Sequence, residues 1–566
     1  MPIYRHDQAR LSVSSEPALG GYLDFVPTAT VTGWTAQLSG RAPSGARSIA
    51  FDTGAGGTLA VGDYIQIGNV SALHSEIRRI SSLGTYNGTG ATGTVFLDYP
   101  LGFSHPDSTN EQNVSRLNAA SLGLTGNSLI TFLPGVYESI TTPDLTPELL
   151  PQYFLKTTGD RNWGYMYRGR QAFSGSLPNL ILLNGIPLRF PIGSVRTVAA
   201  AVSGGTTTLV GTHFKGERFV TLALASTFAN GELIEIERGG TNPEVREIIS
   251  GGGTTTLVLN YPLMFEHAGG VNINEVTAGT TFTHTLIETA RLDSLTWNVR
   301  MRDTGEVAAN DFTRRFVGGV VNRATLTANE GELLRLSWDE VQFIDLVHNQ
   351  TTMTGISGTD PVAKSSAALI DPSTSPGGIG SAIPQSGGTF GVPTYPTTEP
   401  YYFSQGNISI FGITFARIRN FRLDINNNTE PRYYIRDLGT ERTPIDIQEQ
   451  RREYTLTATI AMEDSVAASA TTRTLWKELI LEGAYTGTGT PALQGFDMTL
   501  TFTRGTNDII TITSPILTAT TAFERQGCFF RRAQNSIETE SPVQVEGEII
   551  MRNMQVTVTD SIGVYP

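Results

Sequence analysis

The sequence predicts an all-β chain: a sandwich or barrel core carrying duplicated small β modules, with one short helix in the C-terminal part. Three observations carry this. Helical periodicity is nearly absent, while Thr, Ser and Gly are abundant. Many stretches alternate apolar and polar residues with the period of two that half-buried strands show. Three short blocks also recur in the same order, as they do in a duplicated module.

Residues 1–45 read as an extended arm with turns, among them Glu16-Pro17-Ala18-Leu19-Gly20. Residues 46–107 hold the first module: Gly62-Asp63-Tyr64-Ile65-Gln66-Ile67, Glu76-Ile77-Arg78-Arg79-Ile80, and Val95-Phe96-Leu97-Asp98-Tyr99-Pro100-Leu101-Gly102-Phe103-Ser104-His105. Residues 108–205 form a further β unit. Within it, Asn184-Gly185 stands between two apolar runs and predicts a hairpin. Residues 206–272 repeat the module as Gly231-Glu232-Leu233-Ile234-Glu235-Ile236, Glu244-Val245-Arg246-Glu247-Ile248 and Leu257-Val258-Leu259-Asn260-Tyr261-Pro262-Leu263-Met264-Phe265-Glu266-His267. Residues 273–350 contain a hairpin, and the run from Phe316 to Leu336 weakly echoes Phe173 to Phe190, which suggests that a larger unit was duplicated. Residues 351–400 are a Pro/Gly/Ser-rich loop, too poor in apolar residues to fold alone. Residues 401–566 are a cleaner β region with period-two runs at Tyr454–Met462, Phe496–Phe502 and Val543–Ile549. The expected helix lies there, over Thr472 to Glu482, with Leu475, Trp476, Leu479 and Ile480 on one face and Gly483 as its stop.

Composition narrows the function. Only 39% of residues are hydrophobic and the mean hydropathy is -0.10. No apolar run approaches the roughly 20 residues that span a bilayer, so no membrane partner is expected. The first residues lack the apolar core of a secretion signal, which predicts synthesis in a cytoplasm. A single cysteine, Cys528, excludes an internal disulfide and any multi-cysteine metal site. The net charge of -13 argues against tight nucleic-acid binding and fits a surface that repels DNA. Lysine stands only at Lys156, Lys215, Lys364 and Lys477 among 40 basic residues, and arginine, the rest, suits interface ion pairs.

Catalytic constellations are not apparent. Gly88-Thr89-Gly90-Ala91-Thr92-Gly93 has dinucleotide-loop spacing, but a strand follows it rather than a helix, so it reads as a hairpin loop. The seven histidines show no metal-ligand spacing. His105 and His267 occupy equivalent repeat positions, which points to a shared structural role such as capping a turn. Asp339-Glu340 are adjacent carboxylates that strand alternation would send to opposite faces. Thus no catalytic residue, cofactor or metal is expected.

Several stretches resemble the major tail tube protein of long, non-contractile-tailed bacteriophages. These are the start through Gly20; Phe312-Thr313-Arg314-Arg315-Phe316-Val317-Gly318-Gly319 through Leu334; and, most specifically, Phe403-Ser404-Gln405-Gly406-Asn407-Ile408-Ser409-Ile410-Phe411-Gly412 followed by Ile418-Arg419-Asn420-Phe421-Arg422-Leu423-Asp424-Ile425-Asn426-Asn427. The resemblance implies a tail-tube β-sandwich closing into stacked rings around an acidic lumen through which viral DNA passes. It implies rings of six chains in the virion tail, beside tape-measure, terminator and distal-tail proteins; a duplication that supplies two tube-like units per chain would instead give rings of three with pseudo-sixfold symmetry. Its inter-subunit contacts would include Tyr4 and Arg5 of the arm, Arg314 and Arg315 of the hairpin, and Pro376, Gly377 and Tyr395 of the loop. The chain is longer than is usual for such proteins, largely through its modules. The alternative reading is another virion surface component (decoration, baseplate or fibre); a third is a glycan-degrading tail spike, which needs a cleft with paired acids.

Overall fold

One strand organises the computed structural model: Phe312–Asn329, 18 residues long. The structure describes residues 9–25, 31–55, 57–69, 74–88, 92–97, 99–106, 113–117, 128–129, 136–143, 148–152, 165–225, 227–301, 312–348, 399–410, 413–415, 418–434, 443–461, 497–514, 527–536 and 544–566. On one edge the long strand pairs with Arg335–Phe343 and Asp345–His348, the returning arm of the expected hairpin. On its other edge it has two successive partners: Ser294–Met301 beside residues 312–319, then Ile418–Asn426 beside residues 323–329. The sheet therefore forks. One wing runs out to Ala9–Glu16, the other through Glu453–Ala461 and Gln544–Met551 to Cys528–Ser536.

The bend at the fork needs glycine. Gly318 has a φ of +64°, and a Cβ there would lie 2.4 Å from Ile344 Cγ1. Polar side chains fill the divergence. Asn427 Nδ2 donates to the Val321 carbonyl at 2.9 Å and to the Pro191 carbonyl at 3.0 Å, while Asn322 Oδ1 accepts the Thr429 N–H at 2.8 Å.

A seven-stranded sheet faces this ten-stranded one, in the order Gly193–Ala199, Phe282–Glu288, Gln555–Asp560, Asp508–Ser514, Met498–Arg504, Gly406–Ile410, Ile413–Phe415. Inward residues of both sheets make one core, with Trp297, Trp338, Leu326 and Leu423 from one side and Leu500, Ile512, Val556 and Val558 from the other. All-β architecture is thus borne out.

The two repeats are small six-stranded barrels with equivalent pairing. In the first, Val31–Leu38, Ser48–Ala55, Gly93–Leu97, His74–Ser82, Tyr64–Asn69 and Asn113–Leu117 close completely. In the second, Phe219–Thr221, Thr256–Leu259, Glu244–Ser250, Leu233–Ile236, Asn272–Val276 and Val202–Thr208 follow the same order, and a Leu209–Leu222 bridge closes the ring. The backbone bonds match: Gly45 N–H to the Leu101 carbonyl and Gly216 N–H to the Leu263 carbonyl are both 2.8 Å. Each barrel has its own core, with Ile65, Ile67, Ile80, Leu97 and Leu101 in the first and Ile234, Ile236, Ile248, Leu259 and Leu263 in the second. Three strands of the first barrel, Val31–Leu38, Ser48–Ala55 and Asn113–Leu117, carry none of the recurring blocks. The second barrel is an insertion between Gly193–Ala199 and Phe282–Glu288, which pair directly.

Two expectations need correction. Asn184-Gly185 does not turn a hairpin; it opens a helix, Ile186–Ile192. Asn184 Oδ1 accepts the Ile186 N–H at 3.0 Å, and Pro187 in the first turn suits a helix start. Gly185 is required for close packing, since a Cβ there would meet Val558 Cγ2 at 2.4 Å. The Phe173–Phe190 and Phe316–Leu336 runs therefore part ways after their first strands. The second correction concerns Asp339 and Glu340. Register shifts opposite Arg323 break the alternation, and both carboxylates meet the Arg323–Thr325 side of the long strand. The helix expected over 472–482 lies outside the described residues.

Replacing Gly318 by Val should cost about 3 kcal/mol or more, since a β-branched residue at this φ adds strain to overpacking. Urea unfolding followed by the fluorescence of the buried Trp297 and Trp338 would read it as a lower midpoint. An unchanged midpoint would show that the bend does not need glycine.

Candidate functional site: sheet edges and buried ion clusters

The expected contact residues are distributed unevenly. Tyr4, Arg5, Pro376, Gly377 and Tyr395 lie outside the described residues. Arg314 and Arg315 sit on the long strand, between Ser294–Met301 and Asp345–His348. Arg315 is buried: its Nε donates to Asn298 Oδ1 at 2.9 Å, and its guanidinium lies 5.0 Å from the centre of the Tyr22 ring. Near it, Glu16 ends the first strand in a fully buried pocket. The carboxylate accepts the Gly20 and Gly318 N–H groups, each at 2.9 Å, and the Thr296 hydroxyl at 2.5 Å. Burial outweighs these bonds and raises its pKa. This glutamate ties the N-terminal strand to the bend in the long one.

Each barrel buries one Glu–Arg–His cluster, and the two correspond residue by residue. In the first, Glu76 lies 2.5 Å from Arg78 and 2.9 Å from His105, with all three side chains buried. The Glu76 oxygens also accept the Gly102 and Phe103 N–H groups at 2.9 and 3.2 Å. In the second, Glu244 lies 2.6 Å from Arg246 and 2.5 Å from His267, and accepts the Met264 N–H at 3.1 Å. Burial alone would raise both glutamates; the charges of the arginines, with the histidines and backbone donors, hold them below the usual carboxylate range. The expectation of a shared role for the histidines holds. They fix the Tyr-Pro-Leu loop onto its own barrel.

That loop is the docking element. Tyr99 packs with Tyr22, Val317, Val320 and Ile344 on the bend of the long strand, and its hydroxyl reaches Asp345 at 3.2 Å. Phe103 packs with Leu23 and with Tyr261, the second-barrel equivalent of Tyr99. The second barrel also grips the seven-stranded sheet, where Thr197 N–H donates to the Pro243 carbonyl at 2.9 Å. The cluster went unseen in the sequence because its charged members occupy the polar positions of an alternating strand. Their repetition in both copies was the available signal.

The remaining chemical candidates are structural. Glu340 accepts from Asn322, Arg323 and Gln342; burial raises its pKa, but these bonds and the Arg323 charge bring it below the ordinary value. Asp339 moves the other way, chiefly through burial. Its hydrogen-bond partner Thr325 also bonds Asp424, so this pair belongs to the sheet surface. Burial pushes the Cys528 thiol up to about 12, far from a nucleophile. No group of three or more potential metal ligands occurs among the described residues.

The ten-stranded sheet ends on one wing at Ala9–Glu16 and on the other at Cys528–Ser536, where Arg531, Arg532 and Gln534 are exposed. The seven-stranded sheet ends at Ile413–Phe415. A family model described as phage tail tube protein matches residues 13–557. The chain belongs to the phage tail tube protein family. No curated protein matches it. As a tail tube protein it is a structural component of the virion tail, and family membership implies that it oligomerises and meets other tail proteins. The matched span includes both barrels.

Removing the Glu76 carboxylate by Glu76→Gln should destabilise the first barrel by about 3–5 kcal/mol, the usual cost of breaking a buried pair. Backbone hydrogen exchange over residues 31–117 would read it, with 202–276 as the internal control. The sign with pH follows from the lowered carboxylates: this stability is present above about pH 4.5 and lost as pH falls through the folded-state value. Acid titration of the parent chain should therefore weaken the protection of both barrels progressively as pH falls below about 4.5. Protection that rises as pH falls below 4.5 would contradict it.

Proposed function

We propose that this tail tube protein closes into rings of three chains with pseudo-sixfold symmetry, which stack into the tube of a long, non-contractile tail and conduct DNA during ejection. The observation that carries the stoichiometry is the forked sheet. Sheets commonly hold about four to six strands, and here one chain builds ten in two wings on a shared long strand. Such a chain fits two of six ring positions. Edge strands at both extremes supply unlike surfaces, and heterologous contacts that close make rings. Open edges aggregate unless paired; the arginines at 531 and 532 guard one of them before assembly. The acidic balance supports passage of DNA without adhesion. Tyr4, Arg5, Arg314, Pro376, Gly377 and Tyr395 remain the proposed contacts between subunits, and tape-measure, terminator and distal-tail proteins the proposed neighbours.

Negative-stain electron microscopy of the purified chain tests this. Hollow stacked rings with three protomers per turn are the expected image; rings of six chains would refute the stoichiometry, and particles that never polymerise would refute the tube reading. Deleting residues 355–395 should leave soluble protein that no longer forms tubes. Normal tubes from that deletion would remove the loop from the assembly contacts.

A further inference from the structure

The two ion clusters differ in one residue, and the difference changes their protonation. At the end of the block strand, Ile67 pairs with Glu76 and Ile236 pairs with Glu244. The next residue is Gly68 in the first barrel and Glu237 in the second. Both have left-handed backbones, with φ of +95° and +62°. Glycine adopts that conformation freely, but glutamate does so at a cost. Such strain persists only where the side chain is held.

Glu237 is held on both oxygens. One accepts the Thr241 N–H at 3.0 Å; the other lies 2.7 Å from His267 Nδ1. The opposite ring nitrogen, Nε2, lies 2.5 Å from Glu244. A neutral imidazole has a single N–H and can donate to only one carboxylate. Both carboxylates here face donors from elsewhere: Glu244 has Arg246 and the Met264 N–H, and Glu237 has the Thr241 N–H. They are therefore the ionised partners, and the ring between them must donate twice. Charge then balances, with Glu237 and Glu244 opposite Arg246 and protonated His267. In the first barrel Glu76 and Arg78 already balance, and Gly68 brings no second carboxylate.

We propose that the second barrel carries a proton lock built on Glu237, a carboxylate for which the first barrel has Gly68: an imidazolium at His267 clamped between Glu237 and Glu244, which holds residues 202–276 closed at neutral pH and loosens them when its proton leaves. The other charged or titratable groups packed around it are Arg246, then Arg189 and Tyr261, which act on Arg246; His213 faces the His267 backbone through a β-bridge. Burial favours the neutral ring, but Glu244 and Glu237 outweigh it and raise the histidine above its ordinary value. The sign follows. A raised folded-state value gives stability that is full below about pH 6.5 and is lost as pH rises through that value. Because this barrel sits in the connection between two paired strands of the seven-stranded sheet, loosening would act directly on the sandwich.

Histidine hydrogen–deuterium exchange by mass spectrometry on the full chain reads each imidazole separately. His267 should titrate above His105. Glu237→Gln and Glu237→Gly should each lower the His267 midpoint by about one pH unit or more, a tenfold change, and leave His105 in place. In the parent chain, backbone amides of 202–276 should lose protection relative to 31–117 as pH rises above the ordinary histidine value of about 6.5. A His267 that is neutral at pH 7, a midpoint indifferent to both substitutions, or two barrels that lose protection together would each overturn the proposal. If the glycine variant folds poorly, the glutamine variant, which keeps the side-chain shape, reads the same midpoint.

Discussion

The pairing of Phe312–Asn329 on both of its edges is the constraint on which the rest depends. Residues 315–321 are buried on both faces: Phe316 enters the sandwich core, while Val317 and Val320 receive the first barrel. Its second half has one buried face, with Ala324, Leu326 and Ala328 inward. A straight strand could not serve both environments. The left-handed Gly318 gives the bend, and the Asn322–Asn427–Thr429 bonds satisfy the backbone where the two wings separate. Buried polar groups left unmet at such a fork would each cost on the order of 1–3 kcal/mol, so this network specifies where the sheet divides.

The buried Glu–Arg–His clusters also specify geometry more than they add stability. A buried ion pair seldom outperforms an apolar replacement, yet breaking one is costly. What it supplies is direction. Each glutamate fixes backbone N–H groups of the Tyr-Pro-Leu loop, so the tyrosine leaves the barrel at a defined angle. Tyr99 then seats on the long strand and Tyr261 on Phe103 of the other barrel. Duplication preserved the device and changed its destination.

Much of this was legible in the residues. The recurring blocks marked the central strands of both barrels, and period-two runs such as Tyr454–Met462 marked sandwich strands. Resemblance on Phe312–Gly319 and Phe403–Asn427 pointed to the family that the whole-chain match shows. Other features were hidden for physical reasons. Val31–Leu38 closes the barrel through pairing with the distant Asn113–Leu117 as well as with Ser48–Ala55, which no local pattern reports. Asn184-Gly185 has the composition of a tight turn, but packing against Val558 and a bond to the Tyr565 hydroxyl select a helix instead. Alternation failed at Asp339 because a bulge is a property of two strands together. Nothing in the block marks Glu76 and Arg78 as an inward ion pair, because each lies on a polar position of its strand.

The placement of the barrels bears on how such a chain stays soluble and still assembles. A sandwich of this size has several edges, and each is a template for unwanted pairing. Packing within the chain covers some of them. The second barrel lies along Gly193–Ala199 through the Thr197–Pro243 bond, and bridges from Val136 and Thr141 lie along Phe173–Ile181. On the first strand, Leu11 N–H is met by the Tyr137 hydroxyl at 3.0 Å. The sheets also end at Cys528–Ser536 and at Ile413–Phe415. The second barrel, inserted between two paired strands of the seven-stranded sheet, therefore shields an edge of the same sheet that carries it, and so narrows the pairings open to that edge.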